Sequence, residues 1–239
     1  KRLLGYLSWV GGRRNRHLAA VLDALTGDVT AHAPDHWLIT GDLVNLALPE
    51  EFASARRWLE GLGPPGAATV VPGNHDALVA VPDALGTGQW WPWMTGDAAE
   101  DVAHADKDSG RFPFVRVRGP VGFVCLSSAA ATPPFLATGR LGEAQIAGLA
   151  AALEDLAGRG LFRVVAVHHP PVDGVVGRRK ALCDAAGLQA VIAAAGAELI
   201  VHGHAHRAHL GSIPGPRGPV PVSGVPSSSA RRNGHGRYA

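Results

Sequence analysis

Leu199-Ile200-Val201-His202-Gly203-His204-Ala205-His206 decides the reading of this chain: an apolar, β-branched run of strand length stops abruptly in three histidines. Gly203 and Ala205 are small enough to let the backbone turn sharply between them. Three further runs end the same way. Trp37-Leu38-Ile39-Thr40 runs into Gly41-Asp42, and Thr69-Val70-Val71 into Pro72-Gly73-Asn74-His75-Asp76. Val164-Val165-Ala166-Val167 runs into His168-His169-Pro170-Pro171. Each polar cluster sits where a buried strand ends and a loop begins. Between the runs, apolar residues recur at helical spacing: Leu18, Val21, Leu22, Leu25 and Val29, then Phe52, Leu59 and Leu62 after the helix start Pro49-Glu50-Glu51. Two more helices are predicted over 142–158 and roughly 181–195. Strands that alternate with helices imply right-handed crossovers and a parallel core sheet, which would put all four clusters on one sheet edge. Alternation over 112–118 and 121–126, joined at Gly119-Pro120, predicts a hairpin, and the prolines in 220–225 argue for an edge strand.

Composition narrows the class. The 239 residues are 46% hydrophobic and 18% charged, enough to fill a core, so bulk disorder is excluded. One domain over 1–239 is expected. No apolar run reaches the ~18 residues of a membrane-spanning helix. Cys125 and Cys183 form no disulfide framework, which makes a reducing compartment, the cytoplasm, the expectation. The net charge is only +2, but both ends are basic: residues 1–16 hold Lys1, Arg2, Arg13, Arg14 and Arg16 with no acid, and residues 231–239 hold Arg231, Arg232 and Arg237 with none. An acidic body with basic ends is not the footprint of a nucleic-acid-binding domain. Within 1–16, Leu3, Tyr6, Leu7 and Val10 share one helical face. That pattern fits a basic amphipathic segment in peripheral contact with an anionic membrane, and fits equally an insertion packed on the domain.

One Asp, one Asn and several His make a donor set for borderline divalent metals, and the absence of thiolate argues against a closed structural zinc site. Two cations ~3.5–4 Å apart can clamp the attacking and leaving oxygens of a phosphoryl displacement.

With these motifs in hand, the sequence resembles the calcineurin-like metallophosphoesterases: Gly41-Asp42, Gly73-Asn74-His75-Asp76, the His168 cluster and Gly203-His204-Ala205-His206 follow in the family's order over about 36–206. His168-His169-Pro170-Pro171 is most similar to the bacterial cyclic-nucleotide phosphodiesterase-like branch. The resemblance implies a β-sandwich of two mixed sheets flanked by helices and a dimetal hydrolase of phosphoesters, diester or monoester, that uses a metal-bridging hydroxide. Two divalent ions (Mn, Fe or Zn) are implied as cofactors. Asp42 would bridge them, Asn74, His168 and His204 would complete one site, and His206 would belong to the other. His75 would protonate the leaving oxygen or stabilise the transition state, with Asp76 orienting it. Cyclic nucleotides, nucleotides and lipid phosphoesters are all admissible substrates. The family's first strand ends in Asp-X-His, and no Asp-X-His stands before Gly41 here. Either the chain as given starts after it, which the non-Met first residue favours, or the protein is an inactive scaffold of the same fold. In either case a groove is expected beside the strand at Trp37, and the second metal position should be short of ligands.

Three further readings remain open. Arg178, Arg179 and Lys180 could draw in an anionic substrate or form a solvated run. His169 would stand behind the ligands or touch substrate. Trp90-Trp91-Pro92-Trp93 is read as a wall over the site, either a hydrophobic cluster or a stacking platform. His202 and His209 read as structural, and His17, His32, His36, His104 and His235 as surface residues.

Overall fold

The computed structural model describes Arg2, Tyr6, Gly11 and residues 17–97 and 112–230. His104, His235 and most of the basic segment 1–16 lie outside these residues. The four predicted helices are present: α1 (Ala19–Ala31), α2 (Pro49–Gly61), α3 (Glu143–Gly158) and α4 (Ala185–Ala195). The strands are β1 (Trp37–Ile39), β2 (Ala68–Val70), β3 (Phe114–Arg118), β4 (Val121–Cys125), β5 (Phe162–Val167), β6 (Leu199–His202), β7 (His209–Ile213) and β8 (Val220–Gly224).

Two sheets replace the single parallel sheet that the residue pattern alone suggested. β1 and β2 form a parallel pair, and the other strands form a six-stranded mixed sheet in the order β3-β4-β5-β6-β8-β7. Strand alternation divides the apolar residues between two cores. Phe114, Cys125 and Ala166 face the β1–β2 pair and α2, while Val124, Val165 and Val167 face α3 and α4. β5 is buried on both faces beyond Phe162, which is why Val164-Val165-Ala166-Val167 is a continuous apolar run. Together this is the helix-flanked two-sheet sandwich that the resemblance implied. Arg116 of β3 joins the two sheets. Its buried guanidinium donates to the carbonyls of Pro65, Ala68, Pro92 and Thr95 at 2.5–3.0 Å.

The predicted hairpin forms with Phe114 opposite Cys125. The edge assignment of 220–225 does not hold, because β8 lies between β6 and β7. Pro221 is tolerated there because pairing with β6 begins only at Ile200↔Val222, so its missing N–H lies where β6 has barely started. The true edge is β7, which has no apolar alternation to announce it: four of its five residues are His, Leu, Gly and Ser. The tryptophan run does not wall the site either. Trp90 and Trp93 are buried in the α2 core, with the Trp90 indole N–H donating to the Phe52 carbonyl at 3.0 Å.

Arg163 at the start of β5 is 3% exposed and pairs with Glu198 just before β6 at 2.8 Å. The Arg163 guanidinium outweighs partial burial and holds the Glu198 carboxyl below its ordinary value. Because the folded pKa is depressed, this stabilisation is complete above the ordinary carboxylate pKa and is lost as pH falls through the folded value. Glu198→Ala should cost about 2–4 kcal/mol at neutral pH by leaving Arg163 without its counter-charge. Urea denaturation from pH 7 to pH 3 checks this: the gap between wild type and variant should close toward the acid end.

Candidate metal centre

All four clusters stand at the C-terminal ends of parallel strands, two from each sheet, and the sheets bring these ends together. The turns are tightly built. Asp42, His204 and His206 adopt left-handed φ of 59°, 62° and 53°, conformations that cost non-glycine residues about 1–3 kcal/mol each and cluster at functional sites. Gly41 and Gly73 let the first two turns touch. A Cβ on Gly41 would lie 2.5 Å from the Gly73 nitrogen, and one on Gly73 would collide with the Asp42 carboxylate and come 2.7 Å from His168 Cε1. Gly73→Ala should therefore lower stability by about 2–3 kcal/mol and reduce bound metal. Thermal melting with and without added Mn²⁺ reads both effects; an unchanged melting temperature would show that the turns can move apart.

Asp76 is the carboxylate that locks these turns. Its oxygens accept N–H bonds from Asp42 (2.9 Å), Val44 (3.1 Å) and Gly73 (2.8 Å). Burial and the nearby Asp42 charge push its pKa up to about 7. The orienting role expected of Asp76 toward His75 falls instead to a backbone carbonyl: His75 Nδ1–H donates to Asn45 O at 2.8 Å. A loop held from behind supplies that carbonyl. Glu51, in the first turn of α2, accepts from the amides of Asn45, Leu46 and Leu48 at 2.9–3.3 Å, a helix-start contact in which the acid also satisfies orphan amides. Arg2 donates to the Leu46 and Ala47 carbonyls of the same loop.

Four donor side chains converge on one point. His168 Nδ1–H donates to the Thr40 carbonyl at 2.5 Å, which leaves its Nε2 with a lone pair when the ring is neutral. That Nε2 lies 3.2 Å from His204 Nδ1, 3.3 Å from Asn74 Oδ1 and 3.4 Å from Asp42 Oδ2. Donors about 2.0–2.2 Å from a common cation, at tetrahedral to octahedral angles, stand roughly 3.0–3.5 Å from one another. The observed spacings fall in that range, and the ligand atoms of Asp42, His168 and His204 all lie within 4.8 Å. Burial would raise the Asp42 pKa, but the neighbouring His168 and His75 outweigh it, so the carboxylate stays ionised. Burial, His169 and His168 hold His204 down to about 2, so it is neutral. Its Nε2 is buried with no hydrogen-bond partner. Asn74 is 7% exposed and His168 1% exposed. The Asp42 charge raises the His168 pKa against burial, and a divalent cation would replace that proton among the converging donors.

His206 opens onto the same cleft, which has a volume of about 1300 Å³ and reaches along α1 and β1 to residues 225–230. The cleft runs beside Trp37, and among the described residues β1 pairs with β2 alone. His17 is the residue that sequence reasoning missed. Its ring packs edge-on to His206 at 5.8 Å, and its Nδ1 pairs with Ser229 Oγ at 2.9 Å. No motif surrounds it, so nothing in the sequence signals the contact. His36, also expected at the surface, is half-buried against Thr69 at 2.7 Å. His169 turns inward: Nε2–H donates to the Ala137 carbonyl at 3.1 Å and Nδ1 accepts from the Ser128 hydroxyl at 2.7 Å. Both ring nitrogens are thereby engaged by protein. Arg178 and Arg179 lie on an exposed 3-10 turn outside the cleft lining, tied to residue 137 by the Ala137 N–H to Arg179 O bond.

A two-sheet α/β scaffold thus gathers a carboxylate, an amide and imidazoles at its strand ends, a donor set suited to a divalent cation. The model of the calcineurin-like phosphoesterase family matches residues 12–208, and the chain belongs to that family. Among solved structures it is similar to a dimetal phosphatase from Danio rerio, at 12% identity and a TM-score of 0.60, with 91% of this chain and 81% of that chain covered. No curated protein sequence matches it. Family membership supports phosphoester hydrolysis and a requirement for divalent metal. Among the described residues no helix is long and apolar enough to cross a membrane.

Proposed function

We propose that this protein hydrolyses small-molecule phosphoesters with the help of two divalent cations, Mn, Fe or Zn. The single observation that carries the reading is the convergence of Asp42, Asn74, His168 and His204 around the His168 Nε2 lone pair. Asp42, Asn74, His168 and His204 would hold one cation, and Asp42 with His206 would serve the other. When bound, such ions supply Lewis acidity and lower the pKa of a water nucleophile.

The chain's own residues do the rest. His75 lines the cleft, and its Nδ1 proton is fixed on the Asn45 carbonyl, so Nε2 is the atom that can carry a proton to the leaving oxygen. Its backbone N–H is held by Asp42 Oδ1 at 2.8 Å, which couples the position of the imidazole to the metal-facing carboxylate. Asp76 keeps the two turns in register. His17 supports the His206 ring from the side. The cyclic-nucleotide-like branch, suggested by His168-His169-Pro170-Pro171, makes a diester the first substrate class to try.

The test is turnover of bis-(p-nitrophenyl) phosphate and p-nitrophenyl phosphate with Mn²⁺, Fe²⁺ or Zn²⁺, alongside metal analysis. Absence of turnover with every metal would reduce the protein to a binding scaffold. The two positions should also differ in affinity, because ligand count and preformed geometry set it. Titration of the 239-residue protein should show one tight equivalent and a second, much weaker one. Two tight equivalents would show that further groups complete the His206 position.

A further inference from the structure

We propose that β7 is a self-association edge: two copies pair their β7 strands antiparallel about a twofold axis at Gly211, which makes one continuous sheet across both. β7 is the last strand of the six-stranded sheet and, among the described residues, pairs only with β8. The direction of its backbone groups follows from its neighbours. The Val225 N–H donates to the His202 carbonyl at 2.9 Å, which points residues 223 and 225 of the β8 segment toward β6 and turns Val220, Val222 and Gly224 toward β7. Their partners Ile213, Gly211 and His209 therefore bond to β8. Pro221 agrees with this phase, since it has no N–H to exchange with Ser212. Leu210 and Ser212 are left with their N–H and C=O groups facing outward, and no protein hydrogen bond reaches them among the described residues.

Edges of this kind are normally guarded by charge, proline or a covering segment. The opposite edge of the same sheet is guarded: the Val117 N–H of β3 donates to Asp97 Oδ2 at 2.7 Å, and Arg118 pairs with Asp97 at 2.8 Å. Among the described residues β7 has no such device. His209-Leu210-Gly211-Ser212-Ile213 contains no formal charge and no proline, and Leu210 is 86% exposed.

A second copy satisfies this edge completely. With Leu210 opposite Ser212 of the other copy, and the reverse by symmetry, all four outward groups on each side are hydrogen-bonded. Gly211 then meets its own symmetry mate in the close pairing, at about 4.5 Å between Cα atoms, where the lack of a side chain removes any clash. The two Leu210 side chains become diagonal neighbours on one face. The arrangement is isologous, so it closes at two copies instead of propagating. A five-residue edge buries less than the ~1,200 Å² of a stable interface, so the dimer is a weak one.

Sedimentation velocity and amide hydrogen exchange over about 10–500 µM protein test the proposal. Wild type should shift toward dimer as concentration rises, and Leu210 and Ser212 amide protection should rise about tenfold with it. Ser212→Pro removes an outward N–H without touching the β8 ladder, and Leu210→Lys places a charge on the edge. Both should remain monomeric with melting temperature and bound metal unchanged. If Ser212→Pro fails to fold, Leu210→Lys alone carries the comparison. Monomeric wild type throughout the range would overturn the proposal. So would a dimer that survives both substitutions, or protection of Leu210 and Ser212 that is independent of concentration, which would mean the chain covers its own edge.

Discussion

Asp42→Ala protein is expected to be purified with less than about a tenth of the wild-type metal and to lose phosphoesterase turnover by about 10²-fold or more. Removing groups that only hydrogen-bond to a ligand already costs ~10–100-fold in metal affinity or activity, and Asp42 would itself face both cations. Three effects act together. The variant loses the carboxylate 3.4 Å from His168 Nε2, loses the acceptor of the His75 N–H, and leaves His168 without the charge that raises its pKa against burial. Metal analysis beside turnover at saturating Mn²⁺ measures this. Full metal content in the variant would remove Asp42 from the ligand set.

His75→Ala should show the opposite pattern: metal content retained, with kcat lowered by about 10²–10⁴-fold, the usual contribution of a positioned general acid. The side chain rests on the Asn45 carbonyl and does not enter the Asp42, His168 and His204 group. The loss should shrink for substrates whose leaving group needs no proton, such as p-nitrophenolate compared with an alkoxide. An equal loss for both leaving groups would assign His75 to substrate positioning. Loss of metal would make it a ligand.

The helices were legible because α2 starts with Pro49, Glu50 and Glu51 and because apolar residues recur at helical spacing through α3. Central strands such as β5 were legible as short apolar runs rich in valine. The donors were legible for a different reason. A strand that ends in Gly-Asp, Gly-Asn-His-Asp or Gly-His-Ala-His combines turn-forming small residues with side chains that lose solvation if buried without partners. Several features were not readable. β7 escaped because its side chains alternate poorly, and β8 was misplaced because Pro221 marks an edge only when its N–H would otherwise be used. The roles of Asp76 and His169 also depended on their surroundings: whether a buried carboxylate meets three amides or one imidazole is set by which backbones pass within 3 Å of it.

The sequence by itself therefore determined the helices, the central strands, and the strand ends at which Asp42, Asn74, His168, His204 and His206 stand, because these rest on local pattern and on side-chain chemistry. Only the tertiary structure decided that the four clusters come from two sheets and not one, and that Asn45 and Glu51 hold His75. It alone showed that His17 stands beside His206 and that, among the described residues, nothing pairs with the outer side of β7. Those are contacts between residues up to 212 positions apart, and no local preference of the chain encodes which distant backbone will arrive to complete them.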